Sequence, residues 1–283
     1  MEFNFALFFR LTYLPLSESH ATHARLTWRR VGHLLAFYAL FIPTRLINWI
    51  CFGLDHVLFP GFRQIPVQQP VFIVGNPRSG STHLLRVLAR DDQTFACARL
   101  WEMLLAPSII QRKLVRAAMG LDRGLGSPVR KLVLAWQERA FRRSDRYHRI
   151  RLHEPEEDEF NLVPIFSAIH LVFAFPFMDE FGRYVMFDTE VGQAERKRFM
   201  AFYRRLIQRT LDPQGPTKRF LSKSPANSGR VATLQETFPD AKFIYTTRAP
   251  MELVPSLMSL LTFQWRTFCD PWRPTRFASP RWR

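Results

Sequence analysis

The residues with the clearest chemistry are cations that follow short apolar runs. Arg78 comes just after Val71, Phe72, Ile73 and Val74, Lys223 closes the run 219–222, and Arg248 follows the run 242–247. In an open α/β sheet, ligands sit outside the carboxyl ends of the strands, so three such cations would meet around one anionic ligand. The stretch after the first run is the most specific. Residues 75–80 are rich in Gly, Pro and Ser, and from Ser81 onward Leu84, Leu85 and Leu88 recur at helical spacing. Strand, small-residue loop and helix in that order aim backbone N–H groups and a helix N-terminus at a phosphate. Gly-rich turns of this kind also serve simply to pack a helix on a sheet. Arg78, Ser79, Ser81 and Thr82 together favour the anion site.

The loop nearly matches the nucleoside-triphosphate pattern G-x-x-x-x-G-K-[ST]. Gly75, Gly80 and Thr82 are in register, but Ser81 stands where the lysine would be. Without that lysine, β- and γ-phosphates lose their main point charge. None of the three strand ends carries the aspartate that would hold magnesium, so the expected site is a phosphate cradle with no metal.

The segment PRSGSTHL, followed far downstream by TTRAPMELVPSL, resembles the sulfotransferases that use 3′-phosphoadenosine 5′-phosphosulfate (PAPS). It is most similar to the branch with P-R-S-G-[ST]-T, a W-E pair, P-x-E-D-E-F and K-S-P, all present here in that order between residues 58 and 261. The resemblance implies that Arg78, Ser79, Gly80, Ser81 and Thr82, with His83 beside them, hold the 5′-phosphosulfate. It implies that Arg248 and Ser256, eight positions apart, bind the 3′-phosphate, and that Lys223 sits on the bridging oxygen. Fixed protein cations without a metal suit sulfuryl transfer, in which the protein positions two oxygens in line and neutralises developing charge. The acceptor would be a hydroxyl or amine on a small molecule, lipid or carbohydrate.

A base must take the acceptor proton. Glu102 is the first candidate, because it stands where related sulfotransferases carry a catalytic glutamate. An ordinary helix-start acid is the alternative for it, and His153 and Glu157 are the reserves. The run 153–160, His-Glu-Pro-Glu-Glu-Asp-Glu-Phe, reads first as a helix start, with carboxylates opposing the helix dipole.

Composition narrows the class. The chain has 283 residues, 47% hydrophobic and 14% aromatic, enough for one sizeable α/β core. Cys51, Cys97 and Cys269 show no metal spacing and suit a reducing, cytoplasmic setting. The formal charge of +16 exceeds what a nucleotide donor needs. No zinc-finger, RNA-recognition or basic-zipper pattern points to nucleic acid, so an anionic membrane surface is the expected partner, against simple solubility.

The elements that must position these residues give a P-loop-type three-layer α/β fold, a mainly parallel sheet flanked by helices, preceded by an N-terminal apolar helical segment. Three regions are expected: 1–60, apolar and helical; 61–263, the sulfotransferase domain; and 264–283, an irregular tail rich in Arg, Trp and Pro. Residues 1–30 show no clear period. The apolar stretch 31–59, interrupted by Pro43 and Arg45, reads as two helical pieces on a membrane or on the domain. A single spanning helix and a capping hairpin in the core stand as alternatives. Residues 60–70 read as a linker, 94–98 as a short strand, and 193–211, 227–238 and 250–261 as helices. Residues 111–151 carry twelve Lys or Arg against three Asp or Glu. Within them, 128–149 reads as a helix with Leu132, Val133, Trp136, Ala140 and Phe141 on one face and basic residues on the other; the basic face reads first as solvated, with contact to a membrane or an acidic acceptor as the alternative. Residues 166–178 line an acceptor pocket or fill core. The related enzymes continue with a closing helical segment that the tail does not match. This leaves a catalytically impaired PAPS-binding protein as the second reading, ahead of a P-loop kinase.

Overall fold

The computed structural model describes residues 3–18, 25–142, 144–145 and 147–268. Its centre is a four-stranded parallel sheet in the order β2-β3-β1-β4, with β1 Val71–Gly75, β2 Phe95–Ala96, β3 Arg219–Lys223 and β4 Lys242–Thr246. Strand β1 is buried along its whole length. Phe72 and Val74 join the large core, and Val71 and Ile73 pack with Leu85 and Leu221 on the other side. That two-sided burial is why the strand reads as a continuous apolar run. Strand β4 was expected to be buried and instead lies at the sheet edge, with Tyr245 exposed.

Twelve α-helices are described: α1 Phe5–Ser17, α2 Trp28–Leu58, α3 Ser81–Leu88, α4 Leu100–Leu104, α5 Ile109–Gly124, α6 Pro128–Phe141, α7 Leu171–Ala174, α8 Gly182–Val185, α9 Phe187–Glu190, α10 Gln193–Gln214, α11 Val231–Thr237 and α12 Pro250–Phe268. Helix α10 supplies the core with Phe199, Met200, Phe202, Tyr203, Leu206 and Leu211. Residues 60–70 hold a 3-10 turn, Pro60–Gln64, and 227–238 divides into a 3-10 helix, Pro225–Arg230, and α11. Phe166, Phe175 and Phe177 fill core.

Three expectations are corrected. Helix α1 lies in the region that showed no period; Leu7, Leu11 and Leu14 form its buried stripe, and Asn4 caps it while reaching Tyr184. Helix α2 is one continuous helix of 31 residues and not two pieces. Pro43 removes the N–H that would reach the Ala39 carbonyl, yet the helix runs on through it. Arg45 is tolerated because it is buried on the domain side, its guanidinium 4.5 Å from the Trp49 ring. Third, the first residues of the expected tail, 264–268, continue α12; residues 269–283 lie outside the described residues.

Helix α2 is joined to the rest through Asp55, which is fully buried. Its carboxylate accepts the N–H groups of Ile109 (3.0 Å) and Ile110 (3.1 Å), capping α5, and the Arg209 Nε of α10 (2.8 Å).

Candidate active site

The loop after β1 is shaped by a close approach. Gly75 has φ +130°, and a Cβ there would lie 2.1 Å from the Thr246 carbonyl oxygen, so only glycine lets β1 and β4 end side by side. The Gly75 N–H donates to Ser228 Oγ (2.9 Å), which brings in the segment after β3. The Ser79 and Thr246 hydroxyls are 2.7 Å apart, closing the loop onto β4. Arg78 sits at φ +71°, left-handed for a residue with a side chain, a conformation that costs on the order of 1 kcal/mol and collects at ligand sites.

That backbone aims Arg78 at the second motif. Its Nε donates to Ser256 Oγ (3.0 Å), and its carbonyl oxygen lies 3.5 Å from Arg248 Nη1. Arg248 also pairs with Glu252 (2.8 Å) on the surface. Arg78, Arg248 and Ser256 therefore meet at the carboxyl end of β1, although about 170 residues separate the two motifs. Gly80 is the left-handed cap of α3, and Ser81 and Thr82 form its first turn. His83 is exposed beyond them.

Lys223 lies one strand away, its register partner Ile73 two residues short of Gly75. Its ammonium contacts the Glu157 carboxylate, and His170 Nε2 approaches the other oxygen of Glu157 at 3.2 Å. Burial alone would raise the Glu157 pKa; the Lys223 charge and the His170 bond overcome it and hold the carboxyl well below its usual range. Burial likewise works against a charged His170, but the bond to Glu157 wins and its pKa is raised. Phe160 stacks on the His170 ring at 4.3 Å.

The acid run does open a helix, with Asp158 and Glu159 in the first turn of the Asp158–Ile165 3-10 helix, but its carboxylates do not cap that helix. Each is spent on a different partner. Glu156 meets His148 (3.1 Å), and Glu157 meets Lys223 and His170. Asp158 accepts from Ser222 Oγ and Tyr203. Glu159 takes both terminal nitrogens of Arg230 (2.9 and 3.2 Å). Burial pushes Asp158 up to about 6. The run is a strap that fastens the Asp158–Ile165 3-10 helix to β3 and the turn behind it.

The other sequence candidates lie apart. Glu102 is buried, its Oε2 accepting the Arg99 N–H (3.0 Å) in a capping box and its Oε1 lying 3.5 Å from Arg116. Among the described residues, neither Arg78 nor Lys223 is hydrogen-bonded to it. His153 is exposed. Sequence reasoning missed His170, Ser228 and Thr246. His170 follows the acid run by more than ten residues and carries no spacing signal of its own.

The pair Glu157–His170 gives a test with a definite sign. In Glu157→Gln the bond that favours imidazolium is gone, while burial and the Lys223 charge remain. The His170 pKa should fall from above to below the ordinary imidazole value in a histidine NMR titration. The parent chain should lose stability as pH rises through the raised His170 pKa, and the variant should not. A His170 titration that does not move would show the two groups to be uncoupled.

Residues 70–280 match the model of the Sulfotransferase family. Among curated proteins, the omega-hydroxy-beta-dihydromenaquinone-9 sulfotransferases Stf3 of Mycobacterium bovis and Mycobacterium tuberculosis are each 26% identical over 234 residues, covering 79% of this chain. The chain spans 54% of their length. Among solved structures, sulfotransferase STF1 from Mycobacterium tuberculosis superposes with a TM-score of 0.66 at 18% identity, over 91% of this chain and 64% of that one. STF9 from Mycobacterium avium gives 0.58 at 20% identity, over 80% of this chain and 55% of that one. Those two likenesses bear out the parallel sheet flanked by helices, and the family match covers both the β1 loop and the Arg248 segment: the chain belongs to the sulfotransferase family.

Proposed function

We propose that the chain transfers a sulfuryl group from PAPS to a hydroxyl of an apolar, lipid-like acceptor. The observation that carries this reading is the meeting of Arg78, Arg248 and Ser256 beside the Gly75 loop. The residues fit a nucleotide that carries anionic groups at both its 3′ and 5′ positions. The loop offers backbone N–H groups and the Ser79, Ser81 and Thr82 hydroxyls to the 5′-phosphosulfate. Arg248 and Ser256 suit the 3′-phosphate. The Arg248–Glu252 pair is exposed, and such pairs are worth about 0–1 kcal/mol, so a phosphate dianion can replace it.

In this reading Lys223 neutralises the leaving oxygen on the 5′-phosphate as its bond to sulfur breaks and the acceptor oxygen bonds to sulfur in line. Glu157 takes the acceptor proton. While Lys223 rests on Glu157 the carboxylate is a poor base; drawing the ammonium toward the donor raises its basicity. Glu102, with its oxygens engaged in the cap of α4, is assigned to structure.

Two features support an apolar acceptor. The curated relatives are named for a menaquinone-type lipid. A small cavity of about 70 Å³ lies between α2 and the strap, lined by Phe41, Met103, Phe160 and Val163 together with the polar Thr44, Arg45 and Asn48, and Phe160 is the residue stacked on His170. Helix α2 is long and apolar enough to cross a membrane by length and composition. Arg45, Asn48, Phe52 and Asp55 bury one of its faces in the protein, while Leu35, Leu40, Ile50 and Val57 are exposed. We read it as lying along a bilayer with that outer face.

Calorimetric titration tests the donor assignment. Arg248→Ala should weaken adenosine 3′,5′-bisphosphate by roughly 1.5–3 kcal/mol, the value of a charge-assisted bond, and leave adenosine 5′-monophosphate nearly unchanged. Equal losses for both nucleotides, or tighter binding of ATP with magnesium by the parent chain, would overturn it.

A further inference from the structure

The apolar stripe of α6 faces outward. Val129, Leu132, Val133 and Trp136 follow one another at helical spacing and all are exposed. Gln137 is the buried residue of that helix, its side chain accepting the Leu152 N–H at 2.7 Å. Helix α5 has a matching stripe: Leu114, Leu121 and Leu125 share one face, and Leu121 and Leu125 at the hairpin tip are 74% and 79% exposed. A contiguous apolar surface of this kind marks an interaction site.

The hairpin is a built projection. Asp122, at the end of α5, accepts the N–H groups of Val129 (2.8 Å) and Arg130 (3.0 Å), and its carbonyl accepts that of Ser127 (2.7 Å), so one residue fixes the turn and caps α6. At the other end, buried Arg112 donates to the carbonyls of Ala106 (3.0 Å) and Arg209 (2.8 Å). Asp55 and Asn48 of α2 hold the first turn of α5.

Charge identifies the occupant. The hairpin carries exposed Lys113, Arg116, Arg123, Arg130, Lys131 and Arg139 against exposed Glu138; the other acid, Asp122, is buried in the turn. At 100° per residue, Arg130 and Arg139 lie on opposite sides of the α6 stripe, where long cationic side chains can rest their stems on apolar surface and keep their charges in the headgroup layer. A cationic rim around aliphatic and Trp side chains is the chemistry of an anionic lipid surface. We propose that the α5–α6 hairpin tip inserts into an anionic bilayer surface as a second contact, separate from α2. The inference does not rest on the donor assignment.

The test needs a readout local to the hairpin, because α2 is itself proposed to lie on a bilayer. The full chain carrying Leu125→Cys, with Cys51, Cys97 and Cys269 replaced by alanine, is labelled with an environment-sensitive fluorophore. It is then mixed with vesicles of phosphatidylcholine containing phosphatidylglycerol. The emission should shift to the blue and be quenched by brominated lipid. Changing Arg123, Arg130 and Lys131 to Gln together should raise the lipid concentration needed on the order of tenfold or more. Three results would overturn the proposal. One is co-flotation with vesicles while the label stays in water. Another is the same response to pure phosphatidylcholine. The third is a blue shift without vesicles that grows with protein concentration, which would assign the face to a second copy of the chain.

Discussion

Lys223→Met should leave adenosine 3′,5′-bisphosphate binding near that of the parent chain and reduce sulfuryl transfer by about 100- to 1,000-fold, the typical loss of one charge-stabilising group. Methionine keeps most of the volume, so the packing of β3 is not the variable. The bisphosphate lacks the sulfuryl group and the bridging oxygen on which Lys223 is proposed to act. Its affinity therefore reports Arg78, Arg248 and Ser256 alone. Glu157→Gln should lose turnover in the same way, by about 100-fold or more. Glu102→Gln should retain turnover and lose about 0.5–2 kcal/mol of stability, because it weakens the cap of α4. Single-turnover transfer from labelled PAPS, set beside thermal unfolding, separates the cases. Turnover lost in Glu102→Gln at unchanged stability would return the base role to Glu102.

Arg230→Met should destabilise the fold by about 3–5 kcal/mol, the cost of leaving a buried partner unpaired. Arg230 and Glu159 are each 1% exposed and joined through both terminal nitrogens. The guanidinium also lies about 5 Å from the Phe187 and Phe199 rings. With arginine gone, the partners left to Glu159 among the described residues are the Ile169 N–H (3.2 Å) and the Ser224 hydroxyl (3.4 Å). Adding Glu159→Gln removes the stranded charge, so the double variant should be more stable than Arg230→Met alone. Urea unfolding of the three proteins checks this. A double variant that is less stable than the single one would show that Glu159 contributes independently of Arg230.

What the sequence made legible was local or fixed by spacing. The β1 run, the Gly75–Gly80 turn and the start of α3 are consecutive, and their order alone implies their geometry. Arg248 and Ser256 came from the family resemblance, whose second motif does not depend on the detail of the fold between the motifs. The acid run was harder, because helix-start chemistry is a local reading and its true partners, Lys223, Ser222 and Arg230, are some 65–70 residues away. The outward setting of the α6 stripe was not legible, because amphipathicity shows that a face is apolar and not what covers it. Helix α1 was missed for the opposite reason: Phe5, Phe9 and Tyr13 are apolar but exposed, and they blur the stripe made by Leu7, Leu11 and Leu14. Pro43 suggested a break, but the loss of one N–H does not end a helix held by the rest of its turns.

Asp55 has a mechanical consequence. Its two oxygens receive three donors from two helices, α5 and α10, while its own backbone belongs to a third, α2. None of the three can rotate about that point without breaking a bond to it. A displacement of α2 at that point therefore has to carry α5 and α10 with it or break one of these bonds. Tyr203, on α10, grips Asp158 at the edge of the site. One carboxylate thus ties the position of α2 to the helix that grips the strap holding Glu157.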